Sequence, residues 1–344
     1  MTTLMNTPLL ERASHGDEAA FAELTDPLRG ELEFHCYRML GSRDDAEDML
    51  QETMLAAWRS FGGFERRSSL RTWLYRIATN RCLNALRDAT RRPPITARFP
   101  IPEPTRRKDI TWLEPYPEDR LDWLADCAPG PAARYEAREA VEITFIAALQ
   151  HLSGRQRAVL VLRDVLGFHA DETAAMLDTS VDAVKSALKR GRAALDGERT
   201  DTLRPPAPRS DDERELLARF VEAFLADDVD GIVALVTEHA WFRMPPAEVE
   251  YQGPSQIGAM LRAIAAQRVG QAPLLIETRA NGQPAYGTYR IDRARGVAAP
   301  VGVLLLSLTG RQIAALTWFV GPEQLAAFGL PTDPSDPQLV SEAV

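Results

Sequence analysis

Cysteine is scarce in this chain of 344 residues, since only Cys36, Cys82 and Cys127 occur, far apart and without a CxxC pair. That scarcity excludes a disulfide scaffold and a cysteine-based zinc finger, and it is typical of proteins from a reducing cytoplasm. Long apolar runs are also lacking: the longest, 297–308, is interrupted by proline, glycine and serine. A transmembrane helix needs roughly 18 apolar residues. The first residues lack a basic start followed by an apolar core, so we expect no signal peptide and a cytoplasmic protein.

Positive charge is in deficit, with 40 lysines and arginines against 49 aspartates and glutamates and a net charge of −9. Taken as a sum, this balance disfavours nucleic acid as a partner, but binding surfaces are local. Residues 41–52 hold five acidic residues and one basic residue, whereas residues 64–92 hold eight arginines and two acidic residues. The segregation predicts one acidic and one basic surface, and the basic surface is a candidate for nucleic acid.

Proline marks the candidate domain boundaries, because a proline-rich segment does not hold a continuous helix. Nine of the 24 prolines fall between Pro93 and Pro131, and a second group follows at 205–208. We therefore predict three domains, two linkers and a tail: domains at 9–92, 136–200 and 211–330, linkers at 93–135 and 201–210, and a tail at 331–344.

The first domain has helical periodicity. Between 44 and 58 apolar residues recur at three- and four-residue steps, and acidic residues fill the opposite face. A second helix is predicted from about 70 to 89, and the segment 64–92 mixes arginines with aromatic and amide side chains. Cations hold a phosphate backbone, aromatics stack on unpaired bases and amides bond base edges, which suits single-stranded nucleic acid. The alternative is an arginine-rich amphipathic helix with Trp73 in the core.

A helix-turn-helix is predicted in the second domain. Ser153 can cap a helix that ends near 162, a short helix follows at 171–177, and Ser180 can cap a third helix. In such a motif the last helix enters the major groove, where early residues reach base edges and later cations meet phosphates. The alternative is a helical hairpin with a solvated basic face. The side chains of the last helix that we expect to contact DNA are Asp182, Lys185, Ser186, Lys189, Arg190 and Arg192.

The third domain changes character along its length. Helical patterns come first, and strand-like runs follow at 273–279, 285–291, 301–308 and 312–320. Asn281-Gly282 and Thr309-Gly310 are turn signals between these runs. Helices followed by an antiparallel meander predict an α+β domain.

Two long motifs carry a resemblance to a known family. Residues 44–53, DDAEDMLQET, and residues 64–80, which end in SLRTWLYRIATN, resemble the promoter-melting domain of extracytoplasmic-function sigma factors. These are small bacterial members of the sigma-70 family. The helix-turn-helix with Val184-Lys185-Ser186 resembles their last domain, so the resemblance covers about 9–195.

This resemblance implies two all-α sigma domains that bind core RNA polymerase and promoter DNA without breaking a bond, so we expect no catalytic residue, metal or cofactor. The acidic helix would dock on the clamp of the polymerase β′ subunit through Asp44, Asp45, Glu47, Asp48, Gln51 and Glu52. The last domain would approach the β flap and bind the −35 element through the residues named above. The −10 element would be opened and held by Phe64, Arg66, Arg67, Ser68, Ser69, Arg71, Thr72, Trp73, Tyr75, Arg76, Asn80, Asn84 and Arg87.

The third domain resembles SnoaL-like domains, which have the cone-shaped α+β fold of nuclear transport factor 2 and ketosteroid isomerase. The resemblance rests on the apolar helix from Leu216, on Trp241-Phe242-Arg243-Met244-Pro245-Pro246, and on the closing Phe328-Gly329-Leu330-Pro331. The cone is a candidate site for a small ligand, lined by His239, Trp241, Arg243, Met244, Tyr251, Tyr286 and Trp318. No paired acid–base constellation is visible in it, so we expect a regulatory domain rather than an enzyme.

Two alternatives stay open at this stage. One is a ligand-responsive helix-turn-helix regulator that acts without docking on polymerase. The other is a bifunctional protein with isomerase or cyclase activity in the cone. The acidic face of 44–52 and the helix with Trp73 and Asn84 argue against the first alternative, since a simple repressor needs neither.

Overall fold

The computed structural model describes residues 7–88, 100–107, 113–121, 140–196, 205–245, 247–336 and 339. The chain divides into two compact units: one holds 1–91, 120–140 and 146–197, and the other holds 92–119, 141–145 and 198–344. This division differs from the predicted domain ranges. The first predicted domain and most of the second lie in the first unit, whereas residues 141–145 and the early part of the predicted linker belong to the second. The rest of that linker, from 122 onward, lies outside the described residues.

Helices build the first unit. Those of the first predicted domain are α1 (Thr7–Ser14), α2 (Glu18–Thr25), α3 (Arg29–Leu40), α4 (Arg43–Ser60) and α5 (Leu70–Asp88). Gly41 ends α3 with a φ of 76°, and the Ser42 hydroxyl accepts a hydrogen bond from the Asp45 amide at 3.1 Å to begin α4. These two signals fix the boundary between the helices. Both predicted helices of this region are therefore confirmed.

The helix-turn-helix prediction is also confirmed. The helices are α6 (Ile143–Gln150), α7 (Gly154–Leu160) with a π-helical turn at Val161–Val165, α8 (Ala170–Met176) and α9 (Val181–Asp196). Ser153 and Gln156 form a reciprocal capping box at the start of α7. The Ser180 hydroxyl accepts from the Ala183 amide at 3.1 Å, which caps α9.

The second unit contains a seven-stranded sheet with the strand order β1-β3-β2-β7-β6-β5-β4. The strands are β1 (Arg106–Arg107), β2 (Val236–Arg243), β3 (Val249–Gln252), β4 (Ala272–Ala280), β5 (Gln283–Asp292), β6 (Val297–Thr309) and β7 (Gln312–Val320). Its helices are α10 (Asp211–Leu225), α11 (Val229–Val233), α12 (Gly253–Ala265) and α13 (Pro322–Ala326). Strands β4 to β7 form the predicted antiparallel meander, and β2 pairs parallel to β7.

One core lies between the sheet and the helices α10, α11 and α12. Phe220 and Ile257 from the helices pack there with Phe242 and Leu306 from the strands. Because strand side chains alternate between faces, neighbours such as Trp241 point to the opposite face. The α+β prediction is confirmed, although β1, β2 and β3 were not among the predicted strands.

The predicted tail is in part a structured segment of this unit. The Tyr289 hydroxyl donates to the Pro331 carbonyl at 3.1 Å, and the Ala298 amide donates to the Pro334 carbonyl at 2.9 Å. Leu339 is fully buried. Residues 331–336 thus belong to the domain, because they complete the hydrogen bonding of β5 and β6. Among the described residues, no helix is both long and apolar enough to cross a membrane.

Candidate nucleic-acid interface

The acidic face of α4 is presented to solvent as predicted. Its side chains Asp44, Glu47, Asp48, Gln51 and Glu52 are exposed, and Asp45 is half-buried. Several of the carboxylates have arginine partners: Asp44 lies 3.1 Å from Arg43, Glu47 lies 3.5 Å from Arg120, and Glu52 lies 3.4 Å from Arg81. Pairs of such exposed carboxylates contribute little stability, so these side chains stay available to another cation.

An aromatic cluster stands beside the loop that precedes α5. The Trp73 ring lies 5.8 Å from Phe61 and 5.1 Å from Phe64 between centroids, and Trp73 is half-buried. The Ser69 hydroxyl accepts from the Thr72 amide at 3.0 Å and begins the helix. The cluster holds Trp73 in place while the loop residues Arg66, Arg67, Ser68 and Ser69 stay exposed.

Tyr75 corrects one sequence-based prediction. It was expected to contact the −10 element, but it is fully buried, with its ring 5.0 Å from His35 and 5.4 Å from Phe168. Arg71 covers it, with the guanidinium carbon 4.8 Å from the Tyr75 ring, and also binds the buried Glu31 at 2.8 Å. Since Tyr75 falls four residues after Arg71, one helix turn directs both toward α3. The structure therefore does not present Tyr75 to DNA.

The amide and arginine side chains farther along α5 are exposed, in agreement with the prediction: Arg76, Asn80, Asn84 and Arg87. Asn84 accepts a hydrogen bond from Arg87. Asn80 donates to the Arg76 carbonyl at 3.0 Å and to the carbonyl of Met176, the last residue of α8, at 3.2 Å. In this arrangement the predicted −10-reading helix thus touches the helix-turn-helix.

Two buried arginines, which the sequence did not predict as functional, form a second contact inside the first unit, between α3 and residues 140–157. Arg157 in α7 donates to the carbonyl of Met39 in α3, to the Gln150 side-chain oxygen at 2.6 Å and to the Gln150 carbonyl at 3.1 Å. Arg38 donates to the Ala140 carbonyl at 3.2 Å. Burial lowers the pKa of each guanidinium to about 10, so both remain charged. No sequence pattern distinguishes these arginines from exposed ones.

The last helix of the helix-turn-helix presents all of its predicted DNA-contacting side chains: Asp182, Lys185, Ser186, Lys189, Arg190 and Arg192 are exposed. They differ in their present partners. Arg192 is bound by both oxygens of Asp164, at 2.6 and 2.8 Å. Within the described chain, Lys185, Lys189 and Arg190 form no ion pair, so their charges are unengaged.

A cleft of about 310 Å³ separates the start of α7 from α9. Its polar lining is Ser153, Arg155, Gln156, Thr179, Ser186 and Arg190. Arg155 was not predicted as a contact, because its position just after the helix cap is also common for solvated residues. The cleft places a second unengaged guanidinium beside the recognition helix, and two guanidiniums over hydroxyl groups suit a phosphate oxygen.

The predicted ligand-lining residues do not form one pocket. Tyr251, Tyr286 and Trp318 lie in the packed core, with Met244 at its border, and His239 is exposed. The Trp318 indole donates to the Thr288 hydroxyl at 3.0 Å, and burial raises the pKa of Tyr286. Among the described residues no cluster of metal-binding side chains is present.

Trp241 and Arg243 correct the pocket prediction most clearly. They alternate with Phe242 on β2, and Phe242 belongs to the core, so both lie on the opposite face of the sheet. The unbroken apolar run from Ala240 to Phe242 hid this alternation in the sequence. Both side chains contact the edge strand β1 and its neighbours instead.

A turn of the second unit holds the linker. Asn281, in the turn between β4 and β5, donates from its side chain to the Val141 carbonyl at 2.9 Å, and Gly282 donates to the Glu118 carboxylate at 3.0 Å. The Gln283 side chain accepts from the Ile143 amide at 3.1 Å. Tyr116 is fully buried beside this turn. The turn therefore binds the linker near 116–118, and it also binds residues 141–143 at the start of α6.

Comparison with known proteins adds a family context to this geometry. The family described as Sigma-70 region 2 matches residues 25–92, and that described as Sigma-70, region 4 matches residues 143–195. The chain is 42% identical over 317 residues to the ECF RNA polymerase sigma factor SigG of Mycobacterium tuberculosis, covering 90% of this chain and 84% of the relative. The RNA polymerase sigma-H factor of Pseudomonas aeruginosa is 29% identical over 199 residues, covering 57% of this chain and 94% of the relative.

A solved structure is similar over most of the length. The extracytoplasmic function sigma factor SigJ of Mycobacterium tuberculosis covers 90% of this chain and 99% of its own, with a TM-score of 0.56 and 22% identity. At that identity the similarity concerns the fold alone.

Proposed function

Since this chain belongs to the extracytoplasmic-function RNA polymerase sigma factors, we propose that its described surfaces divide polymerase docking, −10 opening and −35 binding among them. A sigma factor acts with core polymerase on promoter DNA and breaks no bond, which agrees with a transcription factor rather than an enzyme. We assign it to the cytoplasm, where polymerase and chromosome are found.

The acidic face of α4 is assigned to the β′ clamp of core polymerase. Its exposed carboxylates point away from a buried apolar face that includes Leu50 and Ala57. A basic partner surface would steer association and fix its register. Asp48 is the sharpest probe of this assignment, because it is exposed and makes no ion pair with a described residue.

The loop before α5 and the exposed face of α5 are assigned to the −10 element. Flipping a base out of the stack costs a few kcal/mol. An exposed loop beside the Phe64 and Trp73 rings can receive such a base, while Asn80 and Asn84 can bond the edges of unpaired bases. Asn80 touches Met176 in the present arrangement, so binding the single strand requires this contact to open.

The helix α9 is assigned to the −35 element, with the β flap as its neighbour on polymerase. Lys185 and Ser186 lie early on the exposed face, where base edges are reached, and Lys189 and Arg190 follow. The cleft that Arg155 shares with Arg190 supports a backbone-phosphate contact, which positions the helix without reading sequence.

The C-terminal domain is assigned a modulating role through the linker. A linker bound at Asn281 and Gly282 is not free to extend along polymerase. A small ligand in the cone has weaker support, because Tyr251, Tyr286 and Trp318 pack in a filled core. Isomerase or cyclase chemistry has no support beyond the fold itself, because Glu213, a buried carboxylate of this domain, is paired with Arg279 at 3.2 Å.

The observation that carries the proposal is the exposed acidic face of α4 beside the exposed arginine and amide face of α5, within the range of the Sigma-70 region 2 match. The test is run-off transcription with bacterial core polymerase on a promoter from the upstream region of this protein's own gene. We expect Asp48→Lys to lower core binding and transcript yield at least tenfold. The control Glu222→Lys reverses an equally exposed charge on α10 and should change neither. Equal yields from both variants would contradict the docking assignment.

A further inference from the structure

A segment of the linker lies along the free edge of the C-terminal sheet. Strand β1 pairs antiparallel with β3, with Arg106 opposite Glu250 and Arg107 opposite Val249. Two further hydrogen bonds extend the contact: the Gln252 amide donates to the Thr105 hydroxyl at 2.9 Å, and the Tyr251 hydroxyl donates to the Pro102 carbonyl at 3.1 Å.

The edge contains a binding site for one guanidinium, the arginine site, which Arg106 occupies. The Arg106 guanidinium carbon lies 4.0 Å from the centre of the Trp241 ring, and Arg106 also pairs with Glu250. The second oxygen of Glu250 accepts from Arg243 at 3.0 Å, and Arg243 lies 5.3 Å from the same Trp241 ring. Glu250 is only 2% exposed. An aromatic face and a buried carboxylate together select a planar cation.

Main-chain pairing at a sheet edge supplies affinity for an extended peptide, and a side-chain pocket supplies its specificity. Both parts are present here. The ladder is only two residues long, so Arg106 in the arginine site contributes a large part of the binding free energy. A short ladder with one anchoring side chain can exchange, and its retention depends on the high effective concentration that tethering provides.

We propose that the β3 edge with Trp241, Arg243 and Glu250 is a binding site for an extended, arginine-bearing peptide segment, and that linker residues 101–107 are its resident ligand. Resting on the proposed function, we further infer that this segment leaves the edge when the sigma factor joins polymerase. Backbone groups that pair with β3 are not available to another partner, so the paired and the released states of 105–107 exclude each other.

The site is tested with the full chain and a labelled synthetic peptide of residues 100–107. In the wild type the tethered segment competes for the edge, so the peptide should bind weakly. Arg106→Ala removes the anchor of the tethered copy, and the peptide should then bind at least tenfold more tightly by fluorescence anisotropy. Arg107→Ala is the matched control, because Arg107 is exposed on the same strand and should leave the peptide affinity at its wild-type level.

A peptide with alanine in place of Arg106 should bind neither protein, and a scrambled peptide of equal charge should behave like it. Equal binding of the native and alanine peptides to the Arg106→Ala protein would overturn the proposal of an arginine site. So would the lack of any binding by the native peptide, provided that circular dichroism shows the variant to be folded.

Release is tested by hydrogen–deuterium exchange of the wild-type protein, alone and in holoenzyme. The Gln252 amide reports directly, because its acceptor is the linker residue Thr105. We expect fragments with 249–252 to exchange faster in holoenzyme. Unchanged protection in a holoenzyme that transcribes would overturn release. A chain that fails to transcribe would contradict the proposed function instead, and the peptide measurement would still decide the site.

Discussion

Tyr116 and Asn281 exchange two hydrogen bonds: the Tyr116 amide donates to the Asn281 side-chain oxygen, and the Asn281 amide donates to the Tyr116 carbonyl, each at 2.8 Å. Asn281 and Gly282 have φ angles of 54° and 71°, the left-handed pair that closes a tight hairpin. A turn signal readable in the sequence thus also holds the linker. Replacing Asn281 separates these roles, because glycine tolerates the backbone angle but carries no side chain.

We predict that Asn281→Gly destabilises the protein by about 1–3 kcal/mol, because the buried Tyr116 amide and Val141 carbonyl each lose a partner. The measurement is urea unfolding of the full chain. Asn281→Asp keeps the oxygen that accepts from Tyr116, but it turns a carboxylate oxygen toward the Val141 carbonyl in a fully buried site, so it should not restore the stability that Asn281→Gly loses. If the linker contact restrains initiation, Asn281→Gly should also raise run-off yield. A loss of stability without any change in yield would contradict the modulating role given to this contact.

The ion pair between Asp164 and Arg192 leads to a prediction about how tightly α9 binds −35 DNA. Arg192 is exposed on α9, and two of its guanidinium nitrogens donate hydrogen bonds to Asp164. Asp164→Asn removes the competing charge, so we expect tighter binding to −35 duplex DNA. The slope of log K against log salt should steepen by about one, as for one added phosphate contact. Fluorescence anisotropy at salt concentrations from about 50 to about 200 mM measures both the affinity and the slope.

The control for this prediction is Asp171→Asn, an exposed acidic residue on α8 with no ion pair to a described residue. It removes the same charge from the same domain. A steeper slope in both variants would mean that net charge, rather than Arg192, is responsible. No change in either would show that Arg192 makes no phosphate contact.

Local signals predicted the helices well and the faces of the sheet poorly. Helices such as α4 and α9 begin at serine caps, Ser42 and Ser180, and carry a periodic apolar stripe. The cap and the stripe depend only on residues that are close in sequence. Strand β2 lacks such a signal: Ala240, Trp241 and Phe242 are all apolar, so no alternation shows which of them faces the core. Long-range packing decided that question.

The same limit explains the error at Tyr75. Sequence pattern placed it among arginines, threonine and asparagine on a predicted nucleic-acid surface. Its burial depends on His35 and Phe168, which are distant in sequence. The exposed residues of that surface, by contrast, were predictable because exposure follows from the helical period alone.

We predict that Arg71→Ala lowers the free energy of unfolding by about 2–3 kcal/mol. Its loss leaves the Glu31 carboxylate, 5% exposed as a residue, without its cation. Arg76→Ala, at an exposed position farther along the same helix, should cost less than about 0.5 kcal/mol. Urea unfolding of both variants checks this. Tyr75→Phe should leave promoter opening unchanged, whereas reduced opening without reduced stability would restore Tyr75 as a DNA contact.

His35 predicts how stability depends on pH. The Thr79 hydroxyl donates to the Tyr75 carbonyl at 2.7 Å, so it must accept from His35 Nε2, which lies 2.9 Å away. The second ring nitrogen, Nδ1, therefore carries no proton, and it has no hydrogen-bond partner among the described residues. Burial first, and then the nearby Arg38 and Arg71 guanidiniums, lower the pKa of His35 from 6.5 to about 3.

Because the folded-state pKa lies below the unfolded one, unfolding takes up a proton between these two values. The stability from neutral His35 is complete above pH 6.5 and is lost as pH falls toward about 3. We expect this residue to lower the free energy of unfolding by about 1.4 kcal/mol per pH unit below 6.5. Urea unfolding at several pH values measures the slope for the wild type and for His35→Gln, which keeps a donor for Thr79 but does not titrate.

The slopes of wild type and His35→Gln should differ by about one proton. Carboxylates also titrate in this range, but they are common to both proteins and cancel in the comparison. Equal slopes for wild type and His35→Gln would mean that α3 and α5 open enough to solvate His35 while the rest of the unit stays folded. The buried contact between Thr79 and His35 would then not be a stable part of the native packing.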